Sequence, residues 1–440
     1  MRKKIIIIGA AGRDFHNFNT VYRNNEDYEI VAFTASQING ISGRKYPKEL
    51  AGENYPDGIK IYDEKELPEL IEKHKVKEVI LSYSDLHYMD VMKKASIVQA
   101  AGADFKLLGN TAFLYSEKPV ISVCAVRTGC GKSQTSRKTL KILREMNKKV
   151  GVVRHPMPYG DLTKQICQRF ASIEDLKKHN CTIEEMEEYE PYIQNGNIIY
   201  AGVDYEKILR EVEKEADIIL WDGGNNDLPF YKPDLHIVLA DPLRPNHEIE
   251  YYPGETNLRL ADVVIVNKID SANLEDIETV IFNTKTVNPN AKIIKAESEI
   301  TVDNPDMLRN KKVLVVEDGP TTTHGGMGYG AGYIAAKDLN AEIIDPRDYA
   351  VGSIKEVYKN FPKIKNILPA MGYSKEQILE LEQTINNADC DAVVIGTPID
   401  LRRIINIEKP SARVRYELKE IGKPDLEDIL IEFLDFVKKR

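Results

Sequence analysis

Residues Val120 to Ser133 run an uncharged, apolar strand straight into a loop that reads Val-Arg-Thr-Gly-Cys-Gly-Lys-Ser. Gly129 and Gly131 lack Cβ atoms, so the loop can turn its backbone N–H groups inward around an anion. Gln134 to Lys148 follows with Leu140, Leu143 and Met146 at helical spacing, and a helix there aims its positive end at the same anion. Lys132 then meets the β- and γ-phosphates of a nucleotide, and the Ser133 hydroxyl ligates Mg²⁺. Strand, loop and helix in this order restrict the chain to an α/β nucleotide-binding core. Thr128, Gly129, Cys130, Gly131, Lys132 and Ser133 are its expected nucleotide contacts.

A strict loop of this kind has glycine where Val126 stands. The segment instead fits the deviant pattern basic-x-Gly-x-Gly-Lys-Ser, with Arg127 as the basic residue. It resembles the P-loop branch that holds MinD-like ATPases, dethiobiotin synthetase and several GTPases. In some members of that branch the extra cation reaches the partner subunit's nucleotide, which makes Arg127 a catalytic candidate and a homodimer the expected assembly.

Two further motifs follow strands. Ile218-Ile219-Leu220-Trp221-Asp222-Gly223-Gly224 ends a buried strand in an acid, as a carboxylate that orders Mg²⁺ through water requires. Asp222 is the expected catalytic and metal-binding residue, with Asp227 as second candidate. Asn267-Lys268-Ile269-Asp270 matches a base-recognition motif. Asp270 can accept hydrogen bonds from guanine, so the motif alone favours GTP, although relatives of this type bind either base; Asn267, Lys268 and Asp270 complete the nucleotide set.

Cations then recur at strand ends, the rim where open parallel sheets bind ligands. Arg154-His155 closes one strand, Arg244 and His247 follow another, and Arg259 comes after the Pro253-Gly254-Glu255-Thr256-Asn257 turn. A second glycine-rich loop, Thr321 to Gly332, precedes a helix. Thr322, Thr323, His324, Gly325 and Gly326 are placed there to bind phosphate or carboxylate through amides, hydroxyls and a proton donor. Arg403, one turn beyond Gly396-Thr397-Pro398-Ile399-Asp400, joins the group. Together these residues are expected to hold a highly anionic second substrate.

The 440 residues are divided into a Rossmann-like N-terminal domain (1–118), a P-loop core (119–310), and a C-terminal α/β extension (311–440) packed on that core. In the first unit, Ile5 to Ile8 leads to a Gly9/Gly12 turn. Thr34 stands where a dinucleotide site needs an acid, so the turn suits a small anion or simple chain reversal better than NAD. The acidic stretch Ile173 to Tyr192 reads as the solvated face of a helix. A net charge of −9 argues against nucleic-acid binding, and five cysteines without a C-x-x-C pair indicate neither zinc nor a disulfide framework. No apolar run reaches the roughly 18 residues of a membrane span. A soluble, cytoplasmic enzyme without nucleic-acid or membrane partners is the expectation.

Taken together, the Arg127–Ser133 loop, Trp221-Asp222-Gly223-Gly224-Asn225, Asp241-Pro242 through Asn257, Asn267 to Asp270, Thr321 to Gly332 and Gly396 to Leu401 are similar to the cyclic 2,3-diphosphoglycerate synthetase family and its relatives described as predicted GTPases. The resemblance implies an ATP-dependent ligase that closes 2,3-bisphosphoglycerate into its cyclic anhydride, releasing ADP and phosphate. Its small phosphorylated acid would be the substrate and ATP (GTP possible) with Mg²⁺ the cofactors. A GTP-hydrolysing switch or chaperone is the second reading.

Overall fold

The computed structural model describes residues 2–439 except 11, 36–42, 156–159, 324–327 and 373. Its first sheet is built on Lys3–Ile8, whose Ile5 to Ile8 are fully buried as a central parallel strand demands. Tyr28–Ala35 and Glu78–Leu81 pair on either side of it in parallel. Ile59–Asp63 and Asp104–Leu107 extend the sheet outward, and Lys45–Tyr46 adds a short antiparallel edge.

The second sheet carries thirteen strands. Ile198–Gly202, Val150–Arg154, Ile218–Asp222, Val120–Ala125, Leu235–Ala240, Val263–Val266 and Lys292–Val302 lie side by side, all parallel. The four inner strands have every residue buried between helical layers, apart from the first residue of Val150–Arg154. Beyond that core the sheet does not stop. Ser411–Ile421 returns antiparallel along Lys292–Val302, from Lys295↔Ile421 to Val302↔Val414. It then pairs in parallel with Ala392–Gly396, which pairs with Lys312–Asp318. One long strand thus stitches the P-loop half to the C-terminal half edge to edge.

The closing helix Leu426–Lys438 shows how a local pattern fixes position. Leu426, Ile429, Leu430, Phe433 and Leu434 are its buried residues, the spacing of a single apolar stripe, and Asp425 with Asp428 forms a capping box at its start. That stripe packs on the helix that follows the P-loop and joins the same core cluster.

The first sheet is wired to the second at its ligand-binding edge. The Leu86–His87 and Tyr251–Tyr252 segments form an antiparallel ladder, Arg13 donates to the Leu228 carbonyl, and His16 stacks on Phe230 with ring centroids 3.9 Å apart. Among the described residues no helix is long and apolar enough to cross a membrane. Truncating the fully buried Leu430 to Ala is expected to cost about 2–5 kcal/mol, read as a lower denaturant midpoint; an unchanged midpoint would mean the closing helix does not anchor the core.

Candidate functional site

The loop after Val120–Ala125 is held from behind, one carbonyl at a time. Arg244 donates to the Thr128 carbonyl at 2.8 Å, Lys268 to Gly129 at 2.7 Å, and Asn267 to Cys130 at 2.9 Å. Asp241, only 2% exposed, ties the two cations together at 3.0 and 2.8 Å. Though buried, its carboxyl is held below the ordinary range by Lys268 and Arg244. With their carbonyls engaged on one side, residues 128–131 turn their other side to a cavity. Gly129 and Gly131 have φ of 81° and 109°, and a Cβ on Gly131 would come within 2.3 Å of the Asn267 amide nitrogen.

Lys132 begins the Lys132–Glu145 helix, lies almost buried in the cavity wall, and donates to the Asn225 carbonyl at 2.5 Å. Burial first, and the Arg154 cation second, lower its ammonium below the ordinary value. A phosphate oxyanion beside it offsets both effects. Of the loop residues expected from the motif, Thr128, Gly129, Gly131, Lys132 and Ser133 line the cavity, whereas Cys130 is fully buried behind it.

Asp222 is placed differently from the sequence expectation. It is fully buried; its Oδ1 accepts from the Ser136 hydroxyl at 2.9 Å, and its Oδ2 accepts from Tyr192 at 2.6 Å and faces Arg154 at 3.0 Å. Both oxygens are engaged within the protein. Asp227 is the carboxylate that reaches the cavity: its Oδ1 is buried without a partner, Ser84 bonds the carboxyl, and burial pushes it up to about 7. Ser133 lines the same cavity, and its hydroxyl has no partner among the described residues. This pair fits Mg²⁺, which takes few protein ligands and completes its shell with phosphate and water. No described group of three acids, histidines or cysteines could hold a metal alone.

The cations expected to grip a second substrate are mostly spent. Arg154 lies in the wall, but it bonds the Asp222 and Gly223 carbonyls and pairs with Asp222 and Glu188. Arg244 is part of the loop's backing. His247 sits on Arg127, outside the cavity wall. Arg259, half-exposed, pairs with Glu255 four residues earlier, and Arg403 pairs with Glu190; neither reaches the cavity. Arg127 is no free finger either. Its Nε is 2.5 Å from Asp85 of the first sheet's edge, and its guanidinium lies 3.6 Å from the Tyr251 ring centroid. Its position is locked because leaving one partner of a buried charge pair alone is costly.

His155 does line the cavity; burial, aided by Arg154 and Lys132, holds it well below its ordinary value and therefore neutral. Asp270 accepts from the Ser298 amide and the Ser271 hydroxyl and stands outside the wall. In the second glycine-rich segment, Thr322 and Thr323 donate back to carbonyls at 318 and 319. His324, Gly325 and Gly326 lie outside the described residues. The amides of Gly330, Gly332 and Tyr333 already serve an internal acid, Glu317.

The cavity encloses about 480 Å³ and is walled by all three regions of the chain: Arg13, Ser84 and Asp85 from the first, the P-loop from the second, and Glu317, Tyr329 and Tyr416 from the third. Several of its residues escaped sequence reasoning. The Ile183–Gln194 helix is not a solvated acidic face. Glu185, Glu187 and Glu190 on it are at most 6% exposed, and Glu187, Glu188 and Tyr192 line the cavity. Tyrosines at 189 and 192 among those acids were the available signal. Arg137, in the fifth position after Lys132, also lines it.

Two outcomes test these placements. Asp222→Ala is expected to destabilise the protein by about 3–5 kcal/mol, because it breaks a fully buried pair and leaves Arg154 with Glu188 alone. Asp227→Asn should keep the unfolding midpoint at or above that of the parent and lower Mg-nucleotide turnover at least tenfold. An Asp222→Ala protein of parental stability but no turnover would return the metal to Asp222. The second concerns Glu317, whose carboxyl burial raises from 4.5 to about 8. A raised folded-state value stabilises fully below the unfolded value and loses that contribution as pH rises through the folded one. Glu317→Gln should therefore match the parent near pH 4.5 and gain on it steadily towards pH 8; parallel stability curves would refute the shift.

Three comparisons place the chain among known proteins. Residues 195–297 match the family model for cyclic 2,3-diphosphoglycerate synthetase, P-loop domain. Arginine synthetase ArcE of Thermococcus kodakarensis is 62% identical over 434 residues, covering 98% of this chain and 97% of that protein. The cyclic 2,3-diphosphoglycerate synthetase of Thermococcus sibiricus is 22% identical over 294 residues, 61% of this chain and 65% of that one. Among solved structures, LpxK from Aquifex aeolicus in complex with ATP is similar at a TM-score of 0.41 and 15% identity, covering 79% of this chain and 96% of that one. The front sheet and the P-loop sheet both fall within the long match, and the chain belongs to the family of the Thermococcus kodakarensis arginine synthetase ArcE.

Proposed function

We propose that the protein is an ATP-dependent synthetase that builds the guanidino group of arginine, rather than one that cyclises 2,3-bisphosphoglycerate. The observation that carries this reading is the charge of the cavity. Among the described residues seven carboxylates and five cationic side chains line it. Arg154 and Lys268 among those cations, and Asp85 and Glu188 among those acids, are already paired, which leaves the wall without surplus positive charge. A nucleotide triphosphate beside a second bisphosphate needs surplus positive charge, and this wall does not supply it. A substrate or product that carries its own cation suits the wall well. The 62% identical relative named arginine synthetase supports that choice.

Arginine differs from the ureido amino acid citrulline by one nitrogen in place of oxygen. In the proposed reaction the ureido oxygen attacks the γ-phosphorus and ADP leaves. Ammonia then bonds to the carbon, the C–O bond breaks, and orthophosphate departs with its electrons and takes up the proton that the new nitrogen sheds. Bound Mg²⁺ would supply charge neutralisation on the phosphates, with Ser133 and Asp227 as its protein ligands. Lys132 holds the transferring phosphoryl group, and the 128–131 amides fix the chain of phosphates in line. His155, held neutral in the wall, can make a hydrogen bond near that group without adding charge to it. ATP is preferred over GTP because the Asp270 carboxylate is engaged by Ser298 and Ser271.

The test measures ADP and arginine after incubation with Mg-ATP, citrulline and an ammonium salt, in parallel with Mg-ATP and 2,3-bisphosphoglycerate. ADP release coupled to arginine, and none with the bisphosphate, is expected. Release with the bisphosphate alone would reinstate the cyclising activity. Turnover that needs GTP and a protein partner, and responds to neither small molecule, would favour a switch.

A further inference from the structure

Beyond the P-loop the cavity extends between the Lys132–Glu145 helix, the Ile183–Gln194 helix, the end of Lys312–Asp318 and the Ser411–Ile421 strand. Two ionisable side chains, one basic and one acidic, face this chamber without an ion-pair partner among the described residues. Arg137, half-buried, makes no hydrogen bond or ion pair with any described residue. Glu317 is 2% exposed, and its partners are main-chain amides at 330, 332 and 333, with no lysine, arginine or histidine among them.

The backbone is shaped around the Glu317 carboxylate. A Cβ on Gly330 would come within 2.6 Å of its Oε2, and one on Gly396 within 2.5 Å, so a side chain on either of these two separate segments would displace the carboxyl group. Tyr416 lines the same cavity as both groups, and its hydroxyl feels Arg137 together with Asp318, Glu187 and Glu188. The guanidinium and the acids therefore share one chamber.

An amino acid carries a carboxylate and an ammonium on the same carbon, so its receptor needs one cation and one anion close together. A bisphosphate needs two cations. Guanidinium–carboxylate contacts are bidentate and strong when partly desolvated, and a buried acid without a countercharge is relieved when a cation docks. We propose that this chamber holds the α-amino-acid end of the substrate, with Arg137 taking its carboxylate and Glu317 its ammonium, while the side chain runs towards Lys132. The proposal rests on the arginine reading for the identity of that side chain. Glu317 also ends the sheet against the Ala331–Asp338 helix, but a helix-capping acid has no reason to discriminate among ligands, which separates the two roles.

The test is calorimetric titration of the full-length protein with arginine, agmatine (no carboxylate) and deaminoarginine (no α-ammonium). For the parent, each analogue should bind at least tenfold more weakly than arginine. Arg137→Met should weaken arginine at least tenfold and leave agmatine within about twofold. Glu317→Gln should do the same for arginine and leave deaminoarginine unmoved. ATP affinity should hold in both variants. Equal loss for arginine and agmatine in Arg137→Met, or no loss, overturns the proposal. If Glu317→Gln fails to fold, Arg137→Met on its half-buried helix face still decides. Should the parent bind no arginine, the arginine reading fails alone; the chamber is then judged with whichever of citrulline and the standard amino acids does bind, and binding of none overturns it too.

Discussion

The site depends on keeping a phosphate-binding loop in shape. A chain that turns consecutive amides towards an anion must satisfy the carbonyls on its other side, because buried main-chain groups cannot be left unpaired. Here three side chains from two different strand ends take the carbonyls of residues 128, 129 and 130 in turn, and Asp241 keeps the two cationic donors in register. That network explains why Arg244, Asn267 and Lys268 sit where they do. The first half of that motif thus holds the loop, while Asp270, two residues farther on, accepts from the Ser298 amide. Preorganisation of this kind lets the loop meet phosphate without first rearranging.

Charge is the second constraint. The strand-end arginines look from the sequence like a ring of phosphate ligands, since position at the rim is all that sequence shows. In the folded protein Arg244 and Arg259 pair with acids three and four residues earlier, and the others find one from elsewhere in the chain: Arg154 takes Asp222 and Glu188, Arg127 takes Asp85, and Arg403 takes Glu190. Those partners lie 34 to 213 positions away, so no local pattern announces them. A cation count along the rim therefore overstates the positive field that a ligand meets. The same pairing explains Asp222. An acid at the end of a buried strand is legible as a carboxylate, but whether it faces metal or guanidinium is decided by Arg154 on the neighbouring strand.

Much of the architecture was nevertheless legible. Runs such as Ile5 to Ile8, Val120 to Ala125 and Val263 to Val266 are apolar on both faces and became buried parallel strands; the stripe from Leu426 to Leu434 became a docked helix. The P-loop itself could be placed because its glycines, lysine and serine act within one local turn. What resisted were features whose meaning lies in a distant surface. The acidic helix Ile183–Gln194 has the composition of a solvated face, yet it is roofed by the C-terminal half and turns Glu187 and Glu188 into the cavity. The glycines at 330 and 332 invite an anion-binding loop, and they do bind one, but it is the chain's own Glu317.

Why the chain spends three regions on one cavity follows from the chemistry of a synthetase. A phosphorylated intermediate is hydrolysed if water reaches it before the second nucleophile, so the site must be closed on the side away from the P-loop as well as around it. A bare P-loop sheet leaves its ligand edge open. In this fold the first sheet covers that edge from the Thr128–Asn225 side through Asp85, Ser84 and Arg13. The C-terminal half reaches it from the Arg137–Glu188 side, and it can do so rigidly because Ser411–Ile421 makes it part of the same sheet. Continuity of hydrogen bonding across that strand means the two halves of the wall resist moving apart without breaking a ladder of eight residue pairs.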